Sequence, residues 1–375
     1  MFYKNARIFC SDFQFHTGAF EVVDGKFGAV LPNVVPADAI DLQGATVIPG
    51  VIDCHIHGSA AADVSDGDYE GLKQMARYLA QNGVTSFAPT SITQSYEVLE
   101  KAFTTALKLH REMPFGYSRP LGIHMEGPYF SFKKKGAQNP AYLKEPDIEG
   151  FKKLYDACKG FIVLADVAPE LPGAEEFIKE VSKLCTVSVA HTDADYDHAK
   201  MAFASGATHL THLDNAMPGI HHRNPGVIPA AVENPKVRAE LICDGLHVHP
   251  ASVRLAFSMF GADRIVLISD CLRACGMPDG ECNLGGLTGY ISGGVARLAD
   301  GTIAGAITNL FQGMRNAILF GIPECDAIRA ATYNPACAIG VQDQLGVIAT
   351  GKIADFVICR SDYTGIRVFQ SGAEL

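Results

Sequence analysis

The sequence predicts an α/β fold, a (β/α)8 barrel of the TIM type with a small β-sandwich domain formed by the amino- and carboxy-terminal segments. Three observations point there. From Gly44 onward, short apolar runs alternate with stretches of helical composition, the signature of βα units. Side chains able to bind metal or move protons recur at the ends of those runs, where a barrel of this kind builds its active site. Both ends of the chain lack the helical period and read as short strands broken by turns.

The first part of the chain gives strand-like pieces in KNARIFC, AFEVVD and KFGAV, with turns expected at His16-Thr17-Gly18 and Asp24-Gly25. TVIPGVID is the expected first barrel strand, and the helical segment YEGLKQMARYLAQNG follows it. VTSFAPT is the second strand, with SYEVLEKAFTTALKLHREM as its helix. LGIHMEGP, FIVLADVAPE, VSVAHTD, ATHLTHLDNAM, AELICDGLHVHP and RIVLISD complete the barrel. Between Gly276 and Gly305, glycine-rich turns with Asp279-Gly280 and Asp300-Gly301 predict a hairpin-like insertion. A final helix is expected roughly from Asn309 to Phe320. GVIATGKIADFVICR and GIRVFQSG then return to short strands. These should pair with the amino-terminal ones, because each piece alone is too small to bury a core. The expected domains are residues 1–48 with 343–375 for the β domain and 49–342 for the barrel.

Composition narrows the function classes. With 48% hydrophobic and 19% charged residues the chain is an ordinary globular protein. Its net charge of −10 argues against a nucleic-acid or anionic-membrane partner, since both need a cationic surface. A small anionic ligand remains compatible, because local arginines can override global charge. The sequence shows neither an uninterrupted apolar span of membrane length nor a signal peptide, which leads to the expectation of a cytoplasmic protein. The 11 cysteines, scattered without CxxC pairs, fit reduced thiols. Cys54, Cys271 and Cys275 fall near candidate site residues and are read as small buried hydrophobes or loop thiols.

His55 and His57 stand two residues apart, so on a strand both imidazoles project to one face and can share a divalent ion. Glu126 lies in a strongly apolar run, and a buried carboxylate needs a partner such as a metal ion. His191 and His212 end consecutive predicted strands and are therefore neighbours across the barrel mouth. Two nitrogens and one oxygen leave a coordination position for water, the donor pattern of a catalytic zinc-type site. Asp270 ends the eighth strand and is the expected general base. His209 is expected to face the opposite way from His212, toward packing or the helices. Past strands six and seven, Asn215, Arg223 and His247 fall where loops line a substrate pocket. Arg223 suits a phosphate or carboxylate, with His247 as the second candidate. His221, His222 and His249 are read as solvated loop residues.

Taken together, PGVIDCHIHG, HMEGPY, KKGAQNP, VAPE, AHTDAD, THLDNAMPGIHHRNPG, DGLHVHP and LISD resemble the N-acetylglucosamine-6-phosphate deacetylases of the amidohydrolase superfamily. The resemblance runs almost the whole chain and includes ATYNPA and GKIADF, which look like the superfamily's closing helix and its return to the β domain. It implies hydrolysis of the acetamide of N-acetyl-D-glucosamine 6-phosphate to D-glucosamine 6-phosphate and acetate, in amino-sugar catabolism. By the same resemblance Glu126, His191 and His212 hold the principal metal, and Asp270 activates water and protonates the departing amine. His247 and Arg223 bind the sugar phosphate, the arginine reaching in from the other subunit of a homodimer. Asn215 and Ala216 make further substrate contacts. His55 and His57 match members that hold a second metal sharing the glutamate. One or two divalent ions per chain are thus expected, zinc first, with iron, manganese or cobalt also compatible.

Gln138 stands where some members carry a histidine that helps polarise the acetyl carbonyl, which leaves that task to an amide or to the metal. GSAAADVSD replaces a glycine-rich stretch, and SDC around Asp270 replaces a commoner TDA. Two other readings stay open at the level of sequence. One is an amidohydrolase acting on a different N-acyl or cyclic amide. The other is a non-catalytic barrel scaffold, against which the retention of Glu126, His191, His212 and Asp270 argues.

Overall fold

A computed structural model describes residues 1–284, 287–292, 295–298 and 305–375. The barrel strands are β1 (Val51–Ile56), β2 (Val84–Ser91), β3 (Ile123–Met125), β4 (Ile162–Val167), β5 (Thr186–Val189), β6 (His209–Leu210), β7 (Arg238–Ile242) and β8 (Ile265–Ile268). Each pairs in parallel with the next in chain order. β8 returns to β1 where the Asp270 N–H donates to the His55 carbonyl at 3.0 Å. Every residue of β1 and β2 is buried, as expected of strands with side chains inside and helices outside.

The helices follow from their apolar spacing. In Tyr69–Gln81 the buried residues Leu72, Met75, Ala76, Leu79 and Ala80 form one stripe, and the Asp68 side chain caps the first turn by accepting the Gly71 N–H. Tyr96–Glu112 repeats the pattern with Leu99, Ala102, Phe103, Ala106 and Leu109, behind a Ser95 cap. Leu310–Leu319 begins behind the Asn309 cap as expected, but it is not the last helix. Glu324–Ala331 and Tyr333–Ala338 follow, the first of them set off by Pro323 at its start.

Two further expectations are corrected. TVIPGVID is not one strand: Thr46–Pro49 lies antiparallel to Phe356–Cys359 and parallel to Phe2–Phe9, and only the residues after Gly50 enter the barrel. A Cβ at Gly50 would come within 2.1 Å of Thr85 Oγ1, so the crossing from sheet to barrel needs glycine. His16-Thr17-Gly18 is not a turn but part of the strand Phe15–Val23, where Gly18 pairs with Ala6. The chain reverses earlier, where Asp12 Oδ1 accepts the Gln14 N–H at 3.1 Å and Phe13 adopts φ of 59°. Asp24-Gly25 does form its hairpin, between paired Val23 and Lys26.

Strands from both chain ends build one mixed sheet, in the order Ala373–Glu374, Arg367–Gln370, Phe356–Cys359, Thr46–Pro49, Phe2–Phe9, Phe15–Val23, Lys26–Pro32. Phe27 and Phe356 lie four strands apart in that order, about 19 Å in a flat sheet. Their ring centroids are nevertheless 5.7 Å apart, so the sheet curls over a core of Tyr3, Phe20, Phe27, Phe356 and Phe369. After β8, Gly280–Leu284, Leu287–Ser292 and Val295–Leu298 form an antiparallel meander, the expected insertion. The Asp300-Gly301 turn lies outside the described residues. Among the described residues no helix is long and apolar enough to cross a membrane.

Candidate metal centre

The sequence-predicted ligands converge at the carboxyl ends of the barrel strands. His55 and His57 come from β1, Glu126 follows β3, His191 follows β5, His212 follows β6 and Asp270 follows β8. His191, His212 and Asp270 have φ of 43°, 31° and 49°, in the left-handed region that non-glycine residues rarely adopt. This reversal just past each strand turns the side chain back over the barrel mouth. It also explains His212 and His209: strand alternation alone does not give their directions.

Glu126 joins two donor sets. Its Oε1 lies 3.1 Å from His191 Nε2 and 3.2 Å from His212 Nε2, and those two nitrogens are 3.1 Å apart. The Nδ1 atoms of the same rings donate to the carbonyls of Lys134 at 2.9 Å and Asn215 at 3.2 Å. With the protons on Nδ1, both Nε2 atoms present lone pairs to each other and to a carboxylate. Lone pairs face one another stably only with positive charge between them, a proton or a metal ion, so the donor set fits a metal ion.

The second set repeats the logic. His55 Nδ1 faces Glu240 Oε2 at 2.9 Å, His57 Nδ1 faces the Thr90 carbonyl at 3.3 Å, and the two Nε2 atoms stand 3.3 Å apart. Glu126 lies 3.6 Å from His55 and 3.5 Å from His57, while Asp270 Oδ1 lies 3.5 and 3.2 Å from the same nitrogens. In both sets the second ring nitrogen is held by an oxygen acceptor, the arrangement that orients metal-binding imidazoles.

Electrostatics agrees. Burial disfavours a charged His212, yet the hydrogen bond and charge of Glu126 push it up to about 9. His57 rises to about 9 against the same burial cost, through Asp270 and Glu126. Burial works to raise Glu126, but His191 and His212 hold it well below the usual carboxylate range. Asp270 is lowered despite burial, chiefly by His55 and His57, which keeps it an ionised acceptor. The pocket is thus rich in negative charge and draws positive charge to itself.

Several residues that support the site do not stand out in the sequence-level reading. Glu240, fully buried on β7, binds His55 and also His209 Nε2 at 3.2 Å and the His212 N–H at 3.2 Å. His209 therefore points into the barrel, not toward the helices. His124 sits between the Cys54 carbonyl at 3.1 Å and Asp166 Oδ1 at 3.0 Å. Burial disfavours its charge, but Asp166 raises it to about 9, as befits a ring with acceptors on both nitrogens. Although His124 clusters with His55 and Glu240, both its nitrogens are engaged, so that cluster offers no further ligand set. Asp244 accepts the Leu246 and His247 N–H groups on Oδ1, and its Oδ2 lies 2.6 Å from His247 Nδ1. Against burial, Asp244 raises the His247 pKa.

A cavity of about 240 Å³ opens above the two donor sets and is lined by Gln138, Asn215, Ala216 and His247 together with the ligands. His55 lies beneath it, fully buried. Arg223 is exposed, does not line the cavity and rests on His222 at 2.8 Å. Cys54, Cys271 and Cys275 are buried and free of disulfides.

A parallel barrel with imidazole and carboxylate lone pairs converging at its mouth is the architecture of a metal-dependent hydrolase. Residues 46–371 match the model described as the Amidohydrolase family. N-acetylglucosamine-6-phosphate deacetylase of Vibrio furnissii is 37% identical over 330 residues, 88% of this chain and 82% of that one. The chain belongs to the amidohydrolase family and, within it, to the N-acetylglucosamine-6-phosphate deacetylases. N-acetylgalactosamine-6-phosphate deacetylase of Escherichia coli O157:H7 is 34% identical over 339 residues, 90% of this chain and 89% of that one. Among solved structures, a mutant of the Mycobacterium smegmatis N-acetyl-D-glucosamine-6-phosphate deacetylase, in complex with N-acetyl-D-glucosamine-6-phosphate, superposes with a TM-score of 0.94 at 31% identity, over 100% of this chain and 98% of that one.

Proposed function

We propose that this chain hydrolyses the acetamide of N-acetyl-D-glucosamine 6-phosphate to D-glucosamine 6-phosphate and acetate, in amino-sugar catabolism. The observation that carries the reading is the double convergence on Glu126, with Asp270 at 3.2 Å from His57 on the cavity wall. Glu126, His191 and His212 would hold the principal divalent ion, and His55 and His57 a second that shares Glu126. Zinc suits this nitrogen and oxygen donor set, as do iron, manganese and cobalt. A divalent ion bound there supplies Lewis-acid polarisation of the amide and eases the deprotonation of water.

The chain's own groups do the rest. Asp270, held ionised beside two imidazoles, takes a proton from water as its oxygen attacks the acetyl carbon. It then returns that proton to the amide nitrogen as the C–N bond breaks, so that acetate and a free amine leave. Asn215, Ala216 and Gln138 line the wall that would orient the sugar and its acetyl group. His247, whose pKa Asp244 raises, would face the phosphate. Binding energy gained at the phosphate is spent on orientation at the scissile bond.

Arg223 would clamp the phosphate in a second copy of the chain, which makes the working unit a homodimer. Its exposure outside its own cavity supports this. The absence of disulfides among the described residues supports a reducing, cytoplasmic setting. The separate aromatic core of the curled sheet supports treating residues 1–48 with 343–375 as one domain and 49–342 as the other.

The test is acetate release from N-acetylglucosamine 6-phosphate and from the unphosphorylated sugar, on protein of measured metal content. Turnover confined to the phosphate ester and abolished by chelation is expected. Equal turnover of the free sugar would refute the substrate assignment, and the galacto epimer assayed alongside separates the two relatives' activities.

A further inference from the structure

The two oxygens of Glu126 are held differently. Oε1 faces His191 and His212 and lies 3.6 Å from His55, whereas Oε2 accepts the Gln138 side-chain N–H at 2.5 Å and lies 3.5 Å from His57. Gln138 is itself pinned, since its Oε1 accepts the backbone N–H of Thr93 at 2.7 Å, just past β2. Flipping the amide would set N–H against N–H and carbonyl against carboxylate, so these partners fix which end meets Glu126. Gln138 is 8% exposed, which leaves it little room to swing away.

The terminal torsion of a glutamate is soft, so nothing within Glu126 dictates how its two oxygens are shared. A carboxylate that serves two ions must hold one oxygen toward each. The Thr93–Gln138–Glu126 chain of hydrogen bonds does this for Oε2, on the side of His57. We propose that Gln138 is a positioning residue that presents Glu126 Oε2 toward His57, for the ion that His55 and His57 would hold, and that it does not act as the donor to the acetyl oxygen. This rests on the reading of the two donor sets as ion sites.

Outer-shell partners of metal ligands typically change metal affinity 10- to 100-fold when removed. The experiment is zinc binding to the whole chain without substrate, by competition with a chelator of known affinity, for wild type, Gln138→Leu and Gln138→Glu. The glutamate variant keeps the size and the acceptor for Thr93 but loses the donor, and it serves if the leucine variant fails to fold. Wild type should bind two zinc ions, and both variants should lose about 10-fold or more in affinity for the second, with the first changed less. Turnover of N-acetyl and N-trifluoroacetyl substrates gives the second readout. A residue that polarises the carbonyl matters less for the activated amide, whereas a positioning residue produces the same kcat deficit on both.

Unchanged zinc affinities with a deficit that shrinks on the trifluoroacetyl substrate would overturn the proposal. So would a wild-type chain that binds only one zinc. A wild-type chain that binds none would instead overturn the reading of the site itself.

Discussion

Replacing Asp244 with asparagine tests how the protein grips the phosphate. Asp244 Oδ1 accepts two backbone N–H groups, which an asparagine oxygen can still do, so the turn ahead of His247 survives. The change falls on Oδ2, 2.6 Å from His247 Nδ1. An amide there donates, so the His247 proton moves to Nε2 and the ring becomes neutral. Nε2 can still donate to a phosphate oxygen, but without charge. Hydrogen bonds to charged groups contribute about 1.5–3 kcal/mol and neutral ones about 1 kcal/mol, so the loss is about 0.5–2 kcal/mol. At about 1.4 kcal/mol per tenfold, KM should rise roughly 2- to 30-fold with kcat little changed.

The pH dependence fixes the sign. Asp244 raises the pKa of His247, so in the wild type the charged ring and tight binding persist above the ordinary histidine value and fade only as pH climbs through the raised one. In the variant Asp244 no longer offsets burial, so the charge is lost at lower pH than in the wild type and returns only as pH falls further. The phosphate stays dianionic above a pKa of about 6, so between pH 7 and 8.5 only the protein titrates. The assay is KM for the phosphorylated sugar over that range for both proteins. Superimposable KM profiles would refute the assignment of His247 as a charge-bearing phosphate ligand.

Further expectations concern the chemistry, the subunit contact and the fold. Asp270→Asn should keep its metal content yet lose about 10²- to 10⁴-fold in kcat, the usual weight of a positioned acid–base group. Elemental analysis beside turnover decides it, and near-normal turnover means the base lies elsewhere. Arg223→Ala should raise KM for the phosphorylated sugar and erode the preference over the free sugar, and an unaltered preference removes Arg223 from the clamp. Phe356→Ala empties a fully buried position stacked on Phe369 at 4.4 Å and should cost about 3–5 kcal/mol of unfolding free energy in urea melts. A loss below about 1 kcal/mol would mean that the curled sheet contributes little to stability.

The barrel was legible because a fully buried strand is an apolar run and an amphipathic helix has a stripe, and both patterns are local. What stayed hidden depends on contacts distant in sequence. TVIPGVID reads as one run because Pro49-Gly50 does not reveal that Thr85 crowds the crossing and sends the two halves into different sheets. The turn at His16-Thr17-Gly18 lost to the Asp12 side chain, a competition between two plausible reversals five residues apart. Glu240 carries the mark that exposed Glu126, a carboxylate within an apolar run, and the same argument applied to AELIC would have found it. Asp166 in IVLADV is a third case. His209 was misdirected because strand alternation was extended through His212, where the backbone has already left the β region.

The curled sheet also sets a timetable for synthesis. Thr46 pairs with Cys359 and Pro49 with Phe356, so these partners leave the ribosome roughly three hundred residues apart. At about 5–20 residues per second, the earlier strand waits on the order of 15–60 s with one edge bare. The whole barrel is made in that interval. The first strands made are thus among the last completed, and for that time the nascent chain offers chaperones, or other chains, an open row of N–H and C=O groups.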